Sequence, residues 1–214
     1  MAARLLRKLA TPVQPGFKQP RQWWGCFALE PPLTSRPRRY RPSFPYAERA
    51  AAAENAHRDI HAFARLTTRR EDPDDPATRR WLDAADRFRA AMRLVLPPGF
   101  AEQFADLRQG DLASIEPMIE FLEADPYFYG SGYLKTDIIK LIRHMPLNSE
   151  QTGRLRGVVL AVLDRRDCRE FRNFCQLARA VYSPELLAEV ERRTSSADPA
   201  LRRRAGWMRY AMMQ

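Results

Sequence analysis

Cysteine, lysine, glycine-rich motifs and long apolar runs are all scarce in this 214-residue chain, and each scarcity excludes something. Cys26, Cys168 and Cys175 are too few and too scattered for a disulfide framework, so a reducing compartment, the cytoplasm, is expected. No apolar stretch approaches the ~20 residues of a membrane-spanning helix, so no membrane partner is expected. There is no GxxxxGK[ST] loop, GxGxxG turn or GxSxG elbow, which removes the usual support for nucleotide hydrolysis, dinucleotide chemistry and esterase-type catalysis. Carboxylates are plentiful, but on helix surfaces without a pocket signal they assign no acid–base pair. The chain reads as non-enzymatic, with no catalytic residue and no cofactor.

What is abundant is arginine, which supplies 32 of the 36 basic residues and makes the net charge +10. The excess is uneven. Residues 1–46 carry nine basic side chains against the single acid Glu30, residues 47–146 are slightly acidic, and residues 147–214 are basic again. A basic segment of this kind suits phosphates or acidic surfaces, although an arginine-rich composition can also follow from coding bias.

Residues 1–46 also hold eight of the 17 prolines, which remove backbone donors and block helices, so an extended arm is expected there. Within it, Trp23, Trp24 and Phe27 place three large aromatics in five residues. A solvated tail gains nothing from them; they are expected to dock, on the protein's own helices or on a partner as interface anchors. Residues 1–10 are basic, acid-free and leucine-rich, a composition that also fits an organelle transit peptide and makes import the alternative to the cytoplasm.

From residue 47 to 214 the apolar period is helical and no segment alternates with period 2, so an all-α domain is expected, with N-terminal helices over 47–110 and a second group over 111–214. Trp81, Ala85, Phe88, Met92 and Val95 form one stripe, stopped by Pro97-Pro98-Gly99. Ser114 is expected to cap a helix with Pro117 in its first turn, and Leu134, Ile138, Leu141, Ile142 and Met145 make the next buried stripe. Asn148 with Gln151 has capping-box spacing, while Ser183-Pro184 and Asp198-Pro199 carry the cap-then-proline signature. The connecting segments are short, so neighbouring helices should pack as antiparallel hairpins.

The run Asp198-Pro199-Ala200-Leu201-Arg202-Arg203-Arg204-Ala205 resembles the opening of the second helix in HEAT-like or armadillo-like repeats, with an echo at Asp125-Pro126-Tyr127-Phe128 where Gly132 stands in place of Ala205. The resemblance covers about residues 111–214. It implies stacked antiparallel helical hairpins, an α-solenoid used to hold another macromolecule.

Four aromatics surround two glycines in Tyr127-Phe128-Tyr129-Gly130-Ser131-Gly132-Tyr133, so Tyr127, Tyr129 and Tyr133 are candidate partner-binding residues, or fillers of a hairpin corner. Arg36, Arg38, Arg39 and Arg41 of the arm, with Arg165, Arg169, Arg172, Arg202 and Arg203 of the helices, are the candidate nucleic-acid contacts, or else a solvated and salt-bridged face. His57 and His61 stand at i and i+4 with Glu54 a turn earlier, a spacing that can hold zinc. His144 is distant in sequence and no third strong ligand is evident, so no metal is expected. The combined expectation is a non-enzymatic helical-repeat adaptor or assembly subunit that binds a protein partner through arm and helices. The alternative is a nucleic-acid-binding subunit of a ribonucleoprotein or DNA-associated complex.

Overall fold

Proline and acidic or hydroxyl caps punctuate the chain, and helices begin where they occur. The structure, a computed structural model, describes residues 43–67, 72, 74–165 and 168–214. These residues are helical, with no strand among them. The expectations for the arm, including Trp23, Trp24, Phe27, Arg36, Arg38, Arg39 and Arg41, lie outside the described residues.

The chain divides into two compact units. The first takes in residues 43–117 and 126–129. Its main pair is α1 (Tyr46–Leu66) packed on α2 (Pro76–Arg93). Ala50 and Ala53 of α1 and Ala84 and Ala85 of α2 are all buried. Alanine adds little side-chain bulk and loses no rotamer freedom, so an alanine-rich seam favours close helix approach. Asp75 starts α2 by accepting from the Thr78 amide at 2.8 Å, with Pro76 in the first turn, where a missing N–H costs nothing. Gly99, at φ 79°, turns the chain into α3 (Phe100–Arg108), whose Phe100, Phe104 and Leu107 are buried. A 3-10 turn, Leu112–Ile115, follows, and here the expected cap shifts: Asp111, not Ser114, accepts from the Ala113 amide, while the Ser114 hydroxyl donates to Asp111 and is buried. The helix α4 (Glu116–Ala124) begins only after that turn.

The second unit comprises residues 118–125 and 130–214. After α4 come α5 (Ser131–Ile142), α6 (Ser149–Arg165), α7 (Phe171–Ala180), α8 (Pro184–Thr194) and α9 (Pro199–Met212). The local start signals work as the sequence reads. Asn148 accepts from the Gln151 amide at 3.2 Å and Gln151 returns a bond at 3.4 Å. Ser183 accepts from Leu186 and Asp198 from Ala200, each ahead of a first-turn proline. Leu155, Val158, Val159, Val162 and Leu163 of α6 are buried, each worth roughly 1.5–3 kcal/mol relative to exposure.

Within this unit helices pack on the next helix but one as well as on their neighbour. α6 packs on α7 and α8 on α9, while α5 meets α7, α7 meets α9 and α6 meets α8. Side chains join two of these pairs, Asn173 of α7 donating to Thr136 of α5 and Arg193 of α8 pairing with Asp164 of α6, and Arg154 of α6 adds a bidentate grip on Glu123 of α4. Arg156 and Arg204 are buried with their guanidinium groups on backbone carbonyls, Arg156 on Val181 and Tyr182 past the end of α7 and Arg204 on Leu163 and Asp164 in the last turn of α6. Cations at carbonyl-rich helix ends satisfy unpaired acceptors and oppose the helix dipole.

Candidate functional site

The first turn of α5 is entered through Gly130 at φ 89°, so the helix begins at Ser131 and not at the Asp125-Pro126 pair. This start turns the expected stripe. Ile138 and Ile142 are buried as read, but Lys135 and Ile139 join them, and Lys135 is 0% exposed. Its Nζ donates to Asp125 Oδ1 at 2.6 Å, and Arg165 Nη1 stands 3.5 Å from Asp125 Oδ2. Asp125 has φ 42°, a left-handed conformation that aspartate tolerates better than most residues. A buried ammonium needs a close partner of this kind to offset its lost hydration. Arg165, a candidate phosphate contact or part of a salt-bridged face, is exposed and ion-paired to Asp125.

One turn before Lys135, a side chain at Gly132 would require the Glu170 carboxylate to move: an added Cβ would lie 2.7 Å from Glu170 Oε2. The buried Glu170 carboxylate sits against this glycine, and Glu170 lies between Arg169 and Phe171. Arg169 is exposed and its Cζ lies 4.1 Å from the centroid of the Tyr133 ring, a cation–π distance. Phe171 is buried at the start of α7, with its ring 6.3 Å from that of Trp207 on α9. Arg203 Cζ lies 5.5 Å from the same indole. Two guanidinium–aromatic pairs, Arg169–Tyr133 and Arg203–Trp207, are therefore linked through the short turn that carries Glu170 and Phe171.

Helix α9 explains why the indole is displayed. Ala205, Met208 and Met212 turn inward, so Arg203, Trp207 and Tyr210, at i, i+4 and i+7, share the opposite face. Trp207 is 52% exposed and Tyr210 69% exposed. The inward stripe of Leu201, Ala205, Met208 and Met212 does not include Trp207 and Tyr210; their spacing from Arg203 is the signal in the sequence that marks them.

The remaining basic residues divide. Arg172 is exposed and makes no ion pair among the described residues. Arg202 donates to the carbonyls of Ser196 and Ala197, closing the link between α8 and α9. Arg192 and Arg193 both donate to Glu189, and those hydrogen bonds hold its carboxyl below the usual carboxylate range. Arg209 pairs with Glu191 at 2.8 Å. The basic helices are thus partly salt-bridged, while Arg169 and Arg172 are exposed and Arg169 and Arg203 each lie over an aromatic ring.

The three candidate tyrosines belong to different units. Tyr127 and Tyr129 fall in the first and Tyr133 in the second. Tyr127 and Tyr129 are both exposed, and the ring of Tyr129 lies 4.7 Å from His57 and 6.2 Å from Phe88. Among the described residues no group of three or more His, Cys, Asp or Glu side chains is arranged to hold a metal, and no helix is long and apolar enough to cross a membrane. Compared with known proteins, the chain matches no family model, no curated protein and no solved structure.

Proposed function

We propose that the chain is a non-enzymatic helical adaptor that holds an acidic protein partner on the Arg169–Tyr133 and Arg203–Trp207 face, with the basic, tryptophan-bearing segment of residues 1–46 as a second contact. The observation that carries this reading is Trp207, a half-exposed indole steadied by Phe171 beneath it and Arg203 beside it, and continued by the exposed Tyr210. Trp, Tyr and Arg dominate interface hot spots because they bury much area at little conformational cost. An indole already fixed by its own helix loses less entropy on binding than a free one. The surrounding arginines supply the charge that an acidic partner would match.

The finer architecture belongs to the same proposal. Contact of α6 with α8, of α5 with α7 and of α7 with α9, and the Arg154–Glu123 pair from α6 to α4, support a HEAT-like or armadillo-like stack of helical hairpins, in which the contact between alternate helices builds the surface. Asp198 capping α9 ahead of Pro199 is the element the resemblance leans on most.

A second reading rests on the guanidinium lying over Tyr133, because an arginine–tyrosine pair is also a platform for an unstacked base. Salt separates the two. Capture of a partner by the full-length chain, repeated at rising salt with and without nuclease, should leave a protein complex largely in place, whereas phosphate contacts lose affinity linearly in log salt. The Trp207→Ala variant should release the protein partner; Arg36, Arg38, Arg39 and Arg41 should dominate if nucleic acid is bound.

A further inference from the structure

The first unit contains a feature that the adaptor reading does not use. His57 and His61, one turn apart on α1, bring their Nε2 atoms to 3.2 Å. Their rings meet edge to face at 4.7 Å between centroids. His57 is part-buried, its ring 5.2 Å from Phe88 and 4.7 Å from Tyr129, while His61 is exposed. We propose that His57 and His61 form a two-imidazole site for a divalent transition-metal ion of the Zn2+, Ni2+ or Cu2+ type.

The distance carries the proposal. Two imidazole nitrogens bound at about 2.0–2.1 Å to one tetrahedral ion are roughly 3.3 Å apart, close to the separation already present. Both nitrogens are Nε2, and each offers a lone pair to an ion once its ring carries the proton on Nδ1. In the absence of an ion the same geometry accommodates one N–H···N hydrogen bond, and the ion takes the place of that shared proton after the donor ring changes tautomer. Imidazole suits borderline transition ions, while Ca2+ and Mg2+ demand oxygen donors. No third His, Cys, Asp or Glu among the described residues completes the set, so water fills the other positions and the ion exchanges readily.

The test is a calorimetric titration of the metal-free full-length chain with Zn2+, and separately with Ni2+, repeated for His61→Asn, His57→Asn and His144→Asn. One ion per chain is expected for the wild type and for His144→Asn. Loss of one of two chelating rings should weaken binding on the order of a hundredfold. His61 is exposed, so its replacement should leave the melting temperature of the metal-free chain unchanged; this keeps the result interpretable if His57→Asn disturbs packing. In histidine-selective NMR the Nε2 signals of both residues should shift with Zn2+. No binding at millimolar Zn2+, or equal affinity in the wild type and His61→Asn, overturns the site.

Discussion

The two units both hold a nitrogen-bearing group against an aromatic ring, but with different chemistry. In the first, the His57 imidazole sits between Phe88 and Tyr129 beside a second imidazole. In the second, the guanidinium groups of Arg169 and Arg203 lie over Tyr133 and Trp207. Imidazole changes charge near neutrality and binds metals as the free base, whereas guanidinium stays charged at any ordinary pH and offers donors in a flat fork. The first cluster should respond to protons and metal ions and the second to salt and to the charge of a partner. The aromatic scaffold is similar in kind; the pKa of the nitrogen group decides what the cluster answers to.

The largest effect should come from breaking the frame beneath the arginine pairs. Lys135→Met removes the ammonium from Asp125 and leaves Arg165 3.5 Å from its other oxygen, so the cost should reach at most the roughly 3–5 kcal/mol of a broken buried pair; a lowered urea midpoint is expected, and wild-type stability would remove Lys135 from the account. Gly132→Ala drives a methyl group into Glu170, with an overpacking cost of about 1–3 kcal/mol and displacement of the turn carrying Arg169. A melting temperature equal to wild type would mean the carboxylate moves aside freely. Trp207→Ala should leave stability within about 1 kcal/mol while weakening partner binding by about 2 kcal/mol or more, which separates display from packing.

Smaller effects test the titratable side. The folded His57 holds its proton less tightly than in the unfolded chain, chiefly through burial and then through His61, so the unfolded state binds more protons. Its contribution to stability is therefore present above the ordinary histidine pKa and is lost as pH falls below it. Melting temperature should drop between neutral and mildly acidic pH, less steeply in His57→Phe; an identical slope in the variant would place the effect elsewhere. Last, burial pushes the Cys175 thiol up to about 12, so it should resist alkylation at pH 7 in the folded chain, while part-exposed Cys168 reacts first by peptide mapping. Equal labelling would indicate local opening of α7.

Much of this fold was legible because helix starts are local. Asn148 with Gln151, Ser183 and Asp198 each act within three residues, and all serve as caps. Ser114 misled because Asp111, three residues earlier, competes for the same turn and its carboxylate accepts from both the Ala113 amide and the Ser114 hydroxyl. Lys135 was hidden for a different reason: a lysine reads as solvated until its partner ten residues away, and the left-handed backbone that aims that partner, are known. The candidate face was half visible. Arg169, Arg203 and Tyr133 stood out by type, but Trp207 and Tyr210 required the inward side of α9 to be fixed first, and the pairing of Arg165 with Asp125 depends on tertiary packing that no periodicity encodes.

The most direct test is capture by the full-length chain set beside a Trp207→Ala, Tyr210→Ala double variant of equal stability, with bound material read by mass spectrometry and by nuclease-sensitive absorbance. The account predicts one stoichiometric, acidic protein that survives moderate salt with the wild type and is absent with the variant. Equal capture by both chains, or recovery of nuclease-sensitive material in place of a protein, would contradict it.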